Sequence, residues 1–324
     1  MGSSGEEEYR RGISRILRYR EIGVIISIIG MGVVFSVLNP KFLTPSAFAS
    51  MVSLAAELGV VTIGVAFLMI AGEFDLSVGS VYAVTSMLAA WLVNDGVPFP
   101  IAFIAALGLA ALIGYANAMI TIKGRIPSFI TTLGMMWFLR GVLLAITKGF
   151  PVSLTHVPPS LAAIAAPIVG DFRISGLWFL ILIAVFQYLL MWTAYGNWVQ
   201  AVGGAPATAR ALGIDVARVK TINFMLSSVL AAFSGMIALS RFNIVEPVAG
   251  QGLELEAIAS AVIGGCALTG GLGTIIGAAL GAFLVGEIRV GLILAGAPAY
   301  WYIGFIGILL IVAGVINLRL ARRE

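Results

Sequence analysis

The sequence predicts an all-α polytopic membrane protein with about ten transmembrane helices, and three observations predict it. Of 324 residues, 60% are apolar and only 10% are charged, and the mean hydropathy is +1.07. The apolar residues fall in runs about one bilayer long. The basic residues are distributed unevenly between alternate connections. A soluble domain carries roughly a quarter charged residues, so this chain could not cover a water-facing surface. Lipid offers backbone groups no hydrogen bonds, so each run must satisfy its own, which favours helices. A membrane β-barrel would alternate apolar and polar residues instead.

The runs are roughly Ile22–Leu38, Phe48–Ile70, Val78–Val93, Ile101–Ile122, Ile126–Thr147, Gly176–Tyr195, Thr221–Ser240, Glu254–Leu268, Thr274–Leu294 and Trp301–Leu318. The eighth is short for a span. Turn residues punctuate the series at Asn39-Pro40, Pro45, Pro98, Pro100, Pro158-Pro159 and Gly296 to Pro298. With the N-terminus inside, 13 of the 19 lysines and arginines fall in inner segments, and Lys41, Lys148, Arg173 and Arg241 fall in outer ones. That asymmetry places both termini in the cytoplasm. The expected organisation is a cytoplasmic tail over residues 1–21, a membrane domain over 22–318 and a cytoplasmic tail over 319–324. Within the first tail, Tyr9 to Arg20 sets Ile13, Ile16 and Leu17 on one face, the pattern of a helix lying on the inner leaflet. The polar start, Met1 to Glu21, does not read as a cleavable signal.

Composition excludes several chemistries. One cysteine, Cys266, and one histidine, His156, leave no internal disulfide, no zinc site and no nucleophile paired with a base. The net charge of +4 is accounted for by anionic lipid and needs no nucleic-acid partner. No GxxxxGK[ST] loop is present, so if ATP drives this protein the motor is another polypeptide.

The inner loop Gly196–Lys220 is the natural contact for a motor. Gly203 and Gly204 break the preceding helix, Pro206 suits the first turn of a new one, and Gly213 can end it. The expectation is one short cytoplasmic helix, either a lever or an ordinary loop helix. Ala71–Ala90 and Ile263–Ala282 also share Gly72/Gly264, Leu76/Leu268, Gly79/Gly271 and Ala90/Ala282 at one offset. Both straddle a glycine-rich break, as in transporters built from repeated interrupted helices. Chance similarity among Gly- and Ala-rich spans is the rival explanation.

Charges inside spans are expensive unless they meet partners or water, which singles out Glu57, Arg140, Glu287 and Arg289. Arg140 is mid-span and should pair with an acid or with helix-end carbonyls. Asp75 and Ser77 either cap the third span or act at a gate. Glu246, Glu254 and Glu256 belong to an outer segment that is either a docking surface or a solvated loop.

Several segments together resemble the permease subunits of the ribose, xylose and galactose class of ABC importers. Ala201-Val-Gly-Gly-Ala-Pro-Ala-Thr-Ala-Arg-Ala-Leu-Gly-Ile214 resembles that family's cytoplasmic coupling loop. Glu73-Phe-Asp-Leu-Ser-Val-Gly-Ser80 resembles its acidic turn, and Ile126 to Gly134 with Arg140-Gly141 resembles its fifth span. Pro247 to Ala259 and Val262 to Thr274 resemble its C-terminal half. The resemblance runs in order from about Leu38 to Leu318.

It implies the ABC importer permease fold and a non-catalytic subunit. The implied assembly has a second permease copy or paralogue, a cytoplasmic ATP-binding subunit that carries ATP and Mg, and an extracytoplasmic solute-binding protein. Gly203, Gly204, Pro206, Ala209, Arg210, Gly213 and Ile214 would then couple to the ATPase. Glu246, Glu254 and Glu256 would dock the binding protein. A polyol path or gate would draw on Phe74, Asp75, Ser77, Ser80, Asn117, Thr131, Thr132, Trp137 and Arg140, although most span serines and threonines bond their own backbone. Ala205 stands where the family usually has Asn; Glu73, Glu57 and Arg289 are also departures. Nucleosides, signalling molecules and branched-chain amino acids remain alternative solutes. An ion-coupled secondary transporter is the rival class, with Glu57 its candidate carboxylate.

Overall fold

The computed structural model describes residues 20–298 and 301–321. Twelve helices are named here in chain order. They are α1 (Arg20–Leu38), α2 (Pro45–Ile70), α3 (Val78–Asn94), α4 (Phe99–Gly124), α5 (Ser128–Thr147), α6 (Ile174–Trp192), α7 (Ala194–Gly204), α8 (Pro206–Ala211), α9 (Val216–Phe242), α10 (Leu253–Ile263), α11 (Ile275–Leu294) and α12 (Trp301–Ala321). Side-chain caps explain several starts. Thr44 accepts from the Ala47 amide beside Pro45, Asp215 from Arg218, and Thr274 from Gly277. Asn243 ends α9 in the left-handed conformation (φ 54°).

Helix α2 is the hub. It packs against α9, α11, α10 and α6, while α9 also covers α3 and α4, and α1 lies on α11. Nearly all of α2 from Ala55 to Ile70 is buried. In contrast, α5 and α6 expose Phe129, Ile130, Phe138, Leu180, Tyr188 and Trp192 on their outer faces. Apolar side chains left outside are what lipid, rather than water, would solvate. At the junction of α6 with α11, the Gln187 Oε1 accepts from the amides of Ile275 (2.9 Å) and Ile276 (3.2 Å). It thereby satisfies two orphan donors at the α11 N-terminus.

Among the described residues, seven helices are long and apolar enough to cross a membrane: α1, α2, α4, α5, α6, α9 and α11; α3 is a shorter apolar helix. The expected eighth span differs. Only Leu253–Ile263 is helical, and 11 residues rise about 16 Å, half of a hydrocarbon core of about 30 Å. Helix α9 starts within the expected inner loop, at Val216, and α12 continues through Ala321 into the expected C-terminal tail. The expected interfacial helix, Tyr9 to Arg20, lies outside the described residues apart from Arg20, where α1 begins.

The long connection between α5 and α6 contains β1 (Val152–Ser153), one helical turn, β2 (Pro167–Val169) and β3 (Phe172–Arg173). Strand β1 pairs antiparallel with β4 (Ile244–Val245), just after α9. After β4 the chain folds back between α3 and α5 before α10 begins. An added Cβ on Gly79 would meet the Gly250 carbonyl at 2.2 Å, so this approach requires glycine.

Candidate functional site

Two regions concentrate the polar groups. One lies at the end of the bundle that carries Arg125, Arg210, Arg218 and Lys220, called the basic end below. The other lies deeper, around Arg140.

At the basic end, the break between α2 and α3 is held by side chains of α5 and α4. The Phe74 amide donates to Ser128 Oγ (3.2 Å) and the Leu76 amide to Thr132 Oγ1 (3.0 Å). Ser80 Oγ donates to the Met136 carbonyl (2.9 Å). Asp75 Oδ1 accepts from the Ser77 amide (2.8 Å) and Ser77 Oγ (2.6 Å), and Asn117 Nδ2 donates to the same Ser77 Oγ (2.9 Å). Asp75 therefore braces the break two residues ahead. It does not cap the first turn of α3, and Ser77, at the cap position, makes no side-chain cap bond. Asp75 is fully buried, with Ser227 of α9 beside its carboxylate as well as Ser77. Burial pushes its carboxyl up to about 6, against the lowering effect of the Ser77 bonds.

Glu73 forms an ion pair with Lys220 on α9. This pair, with Arg125 and Arg210, lines a cavity of about 400 Å³. Of the predicted coupling residues, Arg210 lines it. Pro206 opens α8, Ala209 is buried beneath it, Arg210 is exposed, and Gly213 takes φ +86°. The Ile214 amide returns to the Ala209 carbonyl (3.0 Å).

Gly203 and Gly204 do more than end α7. The Gly271 amide donates to the Ile70 carbonyl (2.8 Å), and a Cβ on Gly203 would meet that same carbonyl at 1.8 Å. A Cβ on Gly270 would meet Gly72 Cα at 2.8 Å. Helix α7 thus touches, backbone to backbone, both the α2–α3 break and the α10–α11 break. The sequence pattern signalled a glycine-flanked helix; it did not signal this joint, because the contacting glycines are far apart in the chain.

Deeper in the bundle, Arg140 lies about 18 Å along α5 from Ser128. Its guanidinium donates to the carbonyls of Pro247 (2.7 Å), Ala249 (2.9 Å) and Gly79 (3.5 Å). Pro247 and Ala249 lie in the connection before α10 and Gly79 in the first turn of α3, so the acceptors are turn carbonyls where an acid or helix-end carbonyls were expected. Glu254 and Glu256 are not on a solvated loop. They occupy the first turn of α10, where Glu254 is buried and accepts from the Gly252 amide (3.2 Å), and Glu256 accepts from Tyr302 Oη (3.0 Å). Only Glu246 of that trio is exposed.

Of the residues expected along a path, Asp75, Ser77, Ser80, Asn117, Thr131 and Thr132 are buried within the bundle, mostly bracing the break. Phe74 and Arg140 are partly exposed, and Trp137 is on the outer face. A set that sequence reading did not assemble is Glu57, Tyr82 and Arg241. Tyr82 Oη donates to Glu57 Oε1 (2.7 Å), and Arg241 Nη1 to Glu57 Oε2 (2.8 Å). Glu57 stood out as an intramembrane charge, but Tyr82 gave no signal of its own. Among the described residues, no group of three or more His, Cys, Asp or Glu could hold a metal ion.

Residues 47–314 match the family described as branched-chain amino acid transport system / permease component. The chain belongs to this permease family. Among similar proteins, the autoinducer 2 import system permease protein LsrC of an Enterobacter strain is 32% identical over 94% of this chain and 88% of its own length. The ribose import permease protein RbsC of Escherichia coli is 34% identical over 86% and 87%. That of Bacillus subtilis is 30% identical over 92% and 92%. No solved structure matches the chain. The permease is a multi-pass protein of the bacterial inner membrane, as its apolar helices require.

Proposed function

We propose that this permease is the membrane-spanning subunit of a binding-protein-dependent ABC importer and forms the path for a sugar or sugar-like solute. ATP and Mg are bound and turned over on a separate cytoplasmic subunit. A solute-binding protein delivers cargo from outside, and a second permease copy completes the path. Both termini are cytoplasmic, so the basic end faces the ATPase.

The observation that carries this reading is the seat of α8. A short helix, bracketed by glycines at the basic end, leads through α7 into direct backbone contact with both helix breaks. Force applied to α8 therefore has a short route to α2, α3, α10 and α11. Similarity over nearly the whole chain to import permeases for ribose and autoinducer 2 supports the solute class.

The test is reconstitution in sealed vesicles with the ATPase and binding protein. ATP-dependent D-ribose accumulation is expected, and deletion of residues 205–212 should abolish it while the protein still inserts and assembles. Accumulation by the permease alone, driven by an ion gradient, would replace this reading with a secondary transporter.

A further inference from the structure

We propose that the half of the bundle away from the basic end contains a charge-balanced vestibule through which a neutral polyhydroxylated solute passes. Its walls are the Glu57–Arg241 pair with Tyr82 and the Glu256–Tyr302 pair with Arg289. This deepens the importer reading and rests on it.

Six different helices bring these groups together. Glu57 sits about 18 Å along α2 from Pro45, and Arg289 about 21 Å along α11 from Ile275, so both lie within the depth of a hydrocarbon core. Arg241 comes from the end of α9, Tyr82 from α3, Glu256 from α10 and Tyr302 from α12. The Arg289 guanidinium lies 4.9 Å from the centroid of the Tyr302 ring. The helices that carry the two pairs pack directly on one another: α2 against α10 and α11, and α10 against α3, α11 and α12.

Exposure gives the cluster its meaning. Arg289 is exposed, although the rest of α11 from Leu284 to Val290 is buried. Glu57 and Arg241 retain about a fifth of their side-chain surface, at 20% and 17%. Acid and base side chains open at this depth are unfavourable against hydrocarbon and favourable against water. The open face of the cluster is therefore a wet surface.

Its chemistry selects a solute class. Two carboxylates face two guanidiniums, so the lining has no net charge to hold an anion or a cation. Carboxylates accept from hydroxyls, guanidiniums donate to them, and two tyrosine rings offer apolar faces to a sugar's C–H groups. Glu57, Arg241 and Glu256 already hold partners, so a hydroxyl passing them exchanges one bond for another and is not trapped. A branched aliphatic side chain would instead have to strip water from an ion pair with nothing in return.

The experiment uses the full permease in vesicles with its ATPase and binding protein. In a Cys266→Ala background, Arg289→Cys is treated from outside with the impermeant cationic thiol reagent MTSET. Rapid labelling is expected, slowed at least threefold by millimolar D-ribose. Separately, Arg289→Gln and Glu57→Gln should each reduce D-ribose uptake at least tenfold, with Arg289→Lys restoring part of it. An unlabelled thiol in a variant that assembles normally overturns the vestibule and leaves the importer reading standing. Labelling with wild-type uptake in both Gln variants overturns its role in passage. Wild-type uptake of L-leucine without D-ribose overturns the solute class and this inference together.

Discussion

Arg140 on α5 holds the Pro247 carbonyl at 2.7 Å, joining one span to the segment that folds back into the bundle before α10. The same guanidinium reaches Ala249 and Gly79, so it satisfies carbonyls on two separate elements. Arg140→Ala leaves these acceptors without a donor in a place that water reaches poorly. A loss of about 3 kcal/mol is expected. Arg140→Lys should recover part of it, since one ammonium cannot span the same fork. Thermal unfolding in nanodiscs measures both; an unchanged melting temperature for the alanine variant would remove Arg140 as the anchor of this segment.

Gly203 and Gly204 are neighbours with opposite expectations. A Cβ at Gly203 would overlap the Ile70 carbonyl at 1.8 Å, whereas at Gly204 the nearest atom is Gly271 Cα at an ordinary 3.7 Å. Gly203→Ala should cost about 1–3 kcal/mol and weaken the coupling of ATP hydrolysis to transport. Gly204→Ala should change stability by less than about 0.5 kcal/mol. Equal effects in melting and transport assays would show that the joint is not a close backbone contact.

Asp75 gives a pH signature. Its ordinary value is 3.8, and burial raises it to about 6 in the folded protein. Between these values the folded state binds more protons than the unfolded state, so stability falls as pH rises from about 4 through 6. Asp75→Asn keeps an acceptor for the Ser77 amide and should lose this slope, becoming more stable than wild type at neutral pH. Melting curves across this range decide it; parallel pH dependences in the two proteins would refute the assignment.

Glu73 and Lys220 tie the α2–α3 break to the start of α9, with 13% and 19% of their side-chain surface exposed. A double-mutant cycle with Glu73→Gln and Lys220→Met should give a coupling of about 1 kcal/mol. It should shrink little in salt, because the pair is mostly covered. A coupling near zero would make the pair incidental.

These residues also mark what the sequence could and could not reveal. The helix from Pro206 to Ala211, ended by Gly213, was legible because caps and breakers act locally. Arg140 was legible as a charge needing an acid or carbonyls, though not which, because its acceptors lie on segments far away in the sequence. Asp75 read either as a cap or as a gate residue; its bracing of the break was not legible because the surroundings come from Asn117, Ser128 and Thr132 on other helices. Glu254 and Glu256 read either as docking groups or as part of a solvated loop, and their place in the first turn of α10 was not legible because local composition does not encode depth. The chain folds back into the bundle where Gly79 and Gly250 permit the approach, a contact between residues far apart in sequence that no local pattern announces.

Gln187 gives the bundle a mechanical constraint. One oxygen on α6 supplies both leading amides of α11, so sliding these helices past each other by a turn would strand two donors in hydrocarbon. The two helices should shift as a single rigid strut. A binding reagent that gripped the exposed Tyr188–Trp192 face of α6 would then immobilise α11 from a distance, without touching it.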